Sequence, residues 1–70
     1  MLRLKGRYGN CFVDPESIVA IEAHDIWIRR LHGGELEFSG VRIVFKGGGD
    51  VLVFGDVDAV TINIVKGKDS

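Results

Sequence analysis

"VRIVFKGGGDVLVF", residues 41–54, sets two strongly β-forming runs on either side of a glycine triplet. In the first run Val41, Ile43 and Phe45 fall on one face and Arg42, Val44 and Lys46 on the other; the second, Val51 to Phe54, is apolar on both. Val, Ile and Phe at period two mark extended chain, and the glycines allow a flexible reversal between antiparallel neighbours. Strands apolar on both faces need cover on both, which a single small sheet supplies only with a second layer or another subunit.

The pattern recurs outward in both directions. Ten glycines and one proline punctuate the chain, and the segments between them read as strands near residues 2–5, 10–13, 18–23, 25–31, 35–38, 41–46 and 51–54. "LHGGEL" offers Gly33-Gly34 for the positive φ angles of a primed hairpin turn, and "FSGVR" a short break at Ser39-Gly40. "ELEF" alternates cleanly, Glu35 and Glu37 outward and Leu36 and Phe38 inward, while "IWIRR" sets Trp27 opposite Ile26 and Ile28. In "VDPESIVAIEA", residues 13–23, Asp14-Pro15 predicts a chain reversal with Pro15 at the second turn position, feeding the 18–23 strand through a short β-branched run to Ile21.

Residues 56–65 admit two readings. Asp56 is placed to cap a helix burying Val57, Val60 and Ile64, yet Val60, Ile62 and Ile64 also alternate as a strand, and β-branched residues crowd the segment. The expected fold is mainly β: a small antiparallel sheet, sandwich or barrel, with room for one short C-terminal helix. Residues 1–65 form one β-rich domain, and 66–70 a polar tail that frays.

Seventy residues bury only roughly 60% of the surface of the unfolded chain, so a domain of this size needs help. One cysteine, Cys11, rules out an internal disulfide framework, which leaves oligomerisation as the expected aid. A homo-oligomer would bury Trp27, Val44, Leu52 and Phe54 between subunits; the alternative is a monomeric sandwich or small barrel that covers them itself. The net charge of −1, with signs mixed along the chain, argues against non-specific binding to nucleic acid. The opening residues lack the apolar core of a signal peptide and the apolar runs are too short to span a membrane, so a cytoplasmic location is expected.

Chemistry-bearing motifs are sparse. His24 and Asp25 are neighbours, which on a strand point to opposite faces, and Cys11 at a strand start reads as a small core residue; no catalytic residue and no enzyme activity is expected. His24 and His32 lie eight residues apart, and Asp56-x-Asp58 lacks the glycine and distal glutamate of a calcium loop, so neither metal nor cofactor is expected. "KGGGD" lacks the Lys-Ser or Lys-Thr of a phosphate-binding loop and reads as a turn. The most suggestive set is Trp27 with Arg29, Arg30, Arg42 and Lys46. If their strands lie together, an aromatic platform with guanidinium donors could hold a nucleotide-like ligand or single-stranded nucleic acid. The competing reading is a protein interface, where Trp and Arg are also enriched.

"YGNCFVDPESIVAIEAH" resembles the start of the FlbD-type small proteins, a bacterial flagellar-associated group with similar short proteins encoded by phages. That pattern runs glycine, an aromatic, Asn-Pro, then isoleucines closing in Ile-Glu; the matching positions are Gly9, Phe12, Asp14-Pro15, Ile18, Ile21 and Glu22. "VRIVFKGGGDVLVFGDVDAV" is similar to the second half of the pattern, a strand, a glycine turn, a strand and a Val-rich terminal segment. Asp14 replaces the usual Asn, the Glu-Ser before the terminal segment is missing, and residues 25–40 stand as an extra hairpin. The resemblance implies a β-rich fold with a terminal helix, no cofactor and no enzyme chemistry, and it assigns no site residue. The functional expectation is a self-associating interaction or adaptor module of bacterial or phage origin, with a larger protein as a further partner. The alternative is a nucleotide or single-strand binder.

Overall fold

The alternating runs become strands that are joined by turns at the glycines. The computed structural model describes residues 1–69, with side chains through Gly67. Among the described residues the chain forms β1 (Leu2–Gly6), β2 (Gly9–Val13), a 3-10 turn (Pro15–Ser17), β3 (Ile18–Ala23), β4 (Ile26–Arg29), β5 (Glu35–Phe38), β6 (Gly40–Phe45), β7 (Asp50–Phe54) and α1 (Val57–Asp69). Five strands build an antiparallel sheet in the order β2-β1-β7-β6-β3, and β4 and β5 form a separate two-stranded ribbon. The sheet is not closed into a barrel: β2 and β3 are its two edges.

Register explains which side chains meet. Val41 pairs with Val53 and Ile43 with Val51 between β6 and β7, while Ile21 opposes Ile43 on β3 and Leu4 opposes Cys11 on the first hairpin. These residues share one face, where α1 covers them. Leu4, Val13, Val41, Ile43 and Val53 from the sheet are buried with Val60 and Ile64 from the helix, ringed by Leu2, Cys11, Ile18, Ile21, Phe45, Val51 and Val57. Each such burial is worth about 1.5–3 kcal/mol relative to exposure, so this layer holds the fold together.

The helix reading of the terminal segment prevails. Asp56 Oδ1 accepts the Ala59 N–H at 2.7 Å, a side-chain cap on one of the otherwise unpaired donors of the first turn. The Val57, Val60 and Ile64 stripe then lies on the sheet, whereas a strand would have turned Ile62 inward, and Ile62 is exposed. Tertiary burial offsets the weak helix propensity of the β-branched residues. The helix continues through Lys66 to Asp69, into the segment read as a fraying tail; Ser70 lies outside the described residues.

Asp14-Pro15 does reverse the chain, as a 3-10 turn. Asp14 accepts from the Glu16 N–H at 3.0 Å and from the Ser17 hydroxyl at 3.3 Å, with Pro15 buried directly after this cap, at the second turn position as expected. Gly33 and Gly34 both adopt positive φ, as the hairpin reading of "LHGGEL" requires. β4 is shorter than the expected 25–31 because Arg30 already belongs to that turn: its N–H donates to Gly34 O, and its own carbonyl accepts from Gly33.

The ribbon sets out across the face that the helix leaves free. Gly40 alternates with Val41 and so turns towards that face, and a Cβ built on it would lie 2.5 Å from Ile26 Cγ1 and 2.6 Å from the His24 carbonyl. Ile26, 1% exposed, therefore packs directly over the Gly40 backbone. Phe38 meets Phe54 edge to face at 5.5 Å, and Arg7 reaches from the end of β1 to donate to the Trp27 carbonyl at 3.3 Å. The ribbon is rooted on β6, crosses β7 and is tied to β1. The β1–β7 seam beneath it is thin, with one registered pair, Gly6 with Val53, and the Arg7 N–H donating to Leu52 O at 3.1 Å.

Candidate interaction surface

The helix-free face carries the alternate residues of the same strands. Arg42 opposes Leu52, Val44 opposes Asp50 and Gly40 opposes Phe54, and on the neighbouring strands Glu22 opposes Arg42 and Arg3 opposes Phe12. Three of the four residues expected to be buried between subunits, Val44, Leu52 and Phe54, therefore share this face and are half-buried. Phe12 extends the apolar area and is 64% exposed. An open groove of about 480 Å³, lined by Lys5, Phe38, Ser39, Phe54 and Gly55, runs between ribbon and sheet.

Trp27, the fourth, lies elsewhere. The ribbon registers Ile26 with Phe38 and Ile28 with Leu36, so these share one side, and Trp27 with Glu37 and Arg29 with Glu35 on the other. Ile26 is sealed against Gly40, but its partner at the root, Phe38, expected inside, stays exposed beside Phe54, and towards the tip the cover runs out: Leu36, also expected inside, is exposed and Leu31 in the turn is 94% exposed. The alternation of "ELEF" is right, but its inward side meets too little protein to be buried. Trp27 is half-exposed at 51%.

The basic residues do not converge. β4 pairs with β5, and β6 with β3 and β7, so the strands of Trp27 and Arg42 are in different sheets. Arg42 bridges two carboxylates, its Nε donating to Asp50 at 2.6 Å and its Nη1 to Glu22 at 3.1 Å, and these bonds raise its pKa still further. Its guanidinium is thus committed to a three-strand clamp. Lys46 is exposed beyond the end of β6, with its N–H donating to Ser17 O, and Arg30 is in the ribbon turn. Only Arg29 accompanies Trp27, and acids face both. A side-chain hydrogen bond that the protonated Glu37 carboxyl donates to the Asp25 carboxylate, a little desolvation and the repulsion of the Asp25 charge push Glu37 above its ordinary value.

Groups that could do chemistry are dispersed. Cys11 is partly buried, which pushes its thiol up and keeps it protonated near neutrality. His24 Nδ1 is engaged at 2.9 Å by the Asp25 carbonyl. Among the described residues, no three His, Cys, Asp or Glu side chains gather closely enough to hold a metal ion, and no helix is long and apolar enough to cross a membrane.

A second apolar feature was not foreseen from the sequence. β3 is a free edge, and Ile18, Val19, Ala20 and Ile21 line a groove against Thr61, Ile64 and Val65 of α1. Only the strand order makes β3 an edge and sets the helix beside it, and strand order is a long-range property. No family model matches the chain, and neither a curated protein nor a solved structure matches it.

Proposed function

We propose that the chain is a non-catalytic protein-protein interaction module that self-associates in the cytoplasm, an adaptor of bacterial or phage origin as the FlbD-type resemblance implies. The observation that carries the reading is surface left over after folding. The chain exposes 5004 Å², whereas a compact monomer of its 7.7 kDa exposes about 4,300 Å². Its radius of gyration, 12.8 Å, likewise exceeds the roughly 11 Å of a compact chain of this length. Incompletely covered apolar side chains lie on that surface: Val44, Leu52, Phe54 and Phe12 on the helix-free face, interrupted by the charged residues of β1 and the Arg42 clamp, and Leu36, Phe38 and Leu31 on the ribbon. Patches of this kind on small proteins mark association sites.

Association, with further copies or with a larger protein, covers that surface. Sedimentation velocity on the full chain from micromolar to submillimolar concentration tests self-association. A mass rising above 7.7 kDa is expected, and a clean monomer at every concentration overturns it.

One observation favours the nucleotide or single-strand reading: half-exposed Trp27 shares its side of the ribbon with Arg29. Glu35 and Glu37 opposite them would repel a phosphate, which places this reading second. Titration of Trp27 fluorescence with nucleotides and oligonucleotides separates the two. Absence of quenching at millimolar ligand removes the second reading.

A further inference from the structure

We infer that two copies of this chain meet face to face about a two-fold axis, the outer side of each ribbon, with Asp25, Trp27 and Glu37, lying on a strip of the other's sheet formed by Arg3 and Lys5 of β1 and Phe12 of β2. The inference rests on the self-association reading and names its contact.

Register puts both halves of the contact on the monomer's surface. Leu2 and Leu4 turn towards the helix, so Arg3 and Lys5, which alternate with them, stand on the helix-free face about 7 Å apart. Phe12 opposes Arg3 and Asn10 opposes Lys5 on the edge strand β2, and all four are exposed, so this border of the sheet lies outside the ribbon's cover. The ribbon shows the other half. Ile26 is turned down onto Gly40, so Trp27 and its partner Glu37 face away from the sheet, and the Asp25 carboxyl meets Glu37 there.

The two halves are complementary in charge, and each lacks a partner within its own chain. Among the described residues the ion pairs all belong to Arg42, so Arg3 and Lys5 meet no carboxylate, and Asp25 and Glu37 meet no cation. The hydrogen bond and repulsion from Asp25 raise the Glu37 pKa, as happens when two carboxyls adjoin without a cation between them. In the pair, two bases along β1 reach two acids on the ribbon through charge-assisted bonds, and half-exposed Trp27 lies against exposed Phe12.

The area suits one further copy. The chain exposes roughly 700 Å² more than a compact monomer of its mass, near the roughly 800 Å² that each partner gives to a standard interface. The contact joins the helix-free face to the ribbon, the two surfaces on which the monomer leaves apolar side chains incompletely covered. Because each copy carries both halves, a two-fold pair makes the contact twice and leaves neither half unmatched. A second copy is favoured over an unrelated acidic partner for the same reason: the acids and the aromatic that fit the strip are on this chain.

Charge reversal tests the contact by sedimentation velocity, with far-UV circular dichroism confirming that each chain is folded. Wild type is expected at twice 7.7 kDa, and Arg3→Glu/Lys5→Glu and Asp25→Lys/Glu37→Lys, each alone, at 7.7 kDa. Mixed in equal amounts, the two variants are expected to return to the wild-type mass, because the acidic ribbon of the first fits the basic strip of the second and the reverse. Folded variants that stay monomeric when mixed, or either one alone at the wild-type mass, overturn this contact and leave self-association standing. A wild type that is monomeric at every concentration overturns both and leaves the strip to a different acidic partner. Wild type alone supplies a check that no misfolded variant can blur. Emission of its single tryptophan should move to shorter wavelength as rising concentration joins the copies, and the dissociation constant should rise several-fold between about 0.05 M and about 0.5 M salt. Constant emission while the mass doubles, or an affinity indifferent to salt, overturns the contact.

Discussion

The two faces of β6 and β7 use similar residues to different ends. Towards the helix, Val41, Ile43 and Val53 are wholly inaccessible. One residue away on the same strands, Val44, Leu52 and Phe54 are only partly covered, by a ribbon that reaches part of the face. An apolar side chain stabilises the monomer only in proportion to the protein packed over it, so the first face holds the fold and the second contributes less to it. The same difference recurs along the ribbon, between sealed Ile26 and uncovered Leu36.

That comparison can be broken at several points. The largest effect is expected in the helix-covered layer: Ile43→Ala should cost about 2–5 kcal/mol, against about 1 kcal/mol or less for Leu52→Ala, in urea unfolding at one fixed protein concentration. Equal losses would mean that the two faces are equally buried in the folded unit. Next comes Gly40→Ala, whose methyl would press on Ile26 and on the rigid His24 carbonyl. It should cost about 1–3 kcal/mol and shift Trp27 emission as the ribbon lifts. Unchanged emission would show that the ribbon is not seated through Gly40.

Asp56→Ala should remove about 1 kcal/mol by uncapping α1, and so loosen one face while leaving the residues of the other in place. A thermal melt matching wild type would show that sheet contacts alone hold the helix.

The smallest effect is electrostatic. Because the folded-state pKa of Glu37 is raised, its protonation favours the fold; that contribution is complete below the ordinary glutamate range and is lost as pH rises through the raised value. Glu37→Gln should therefore melt slightly higher than wild type at neutral pH and lose that advantage on acidification, read from melts over roughly pH 4–7. A constant difference across that range would rule out the Asp25 contact as its cause.

Local features were legible from the residues, and relations between distant segments were not. Strands β3 and β5 lie where alternation places them, and the glycine turn at Gly33-Gly34 has the expected backbone, because these depend on neighbours a few residues apart. The terminal helix stayed open between two periods until the sheet showed which of Val60 and Ile62 would be covered. The grouping of Val44, Leu52 and Phe54 followed from period two once β6 and β7 paired. The set of Trp27, Arg42 and Lys46 required β4 to join the main sheet, which nothing in local pattern decides. Arg42 was readable as a donor, but its acids come from two other strands, twenty residues before it and eight after it.

The thin seam between β1 and β7 bears on how the chain assembles in time. The β1–β2, β4–β5 and β6–β7 ladders each join strands that are consecutive along the chain, while Gly6 and Val53 must meet across most of its length. Local contacts form early and distant ones late. The first hairpin is therefore expected to be the last piece of the sheet to dock and the first to detach, and its detachment would uncover Leu4 and Val13 while β3, β6 and β7 stay paired. Slow amide exchange should accordingly be concentrated in β6, and the Arg7 amide should exchange with the opening of that hairpin rather than with global unfolding.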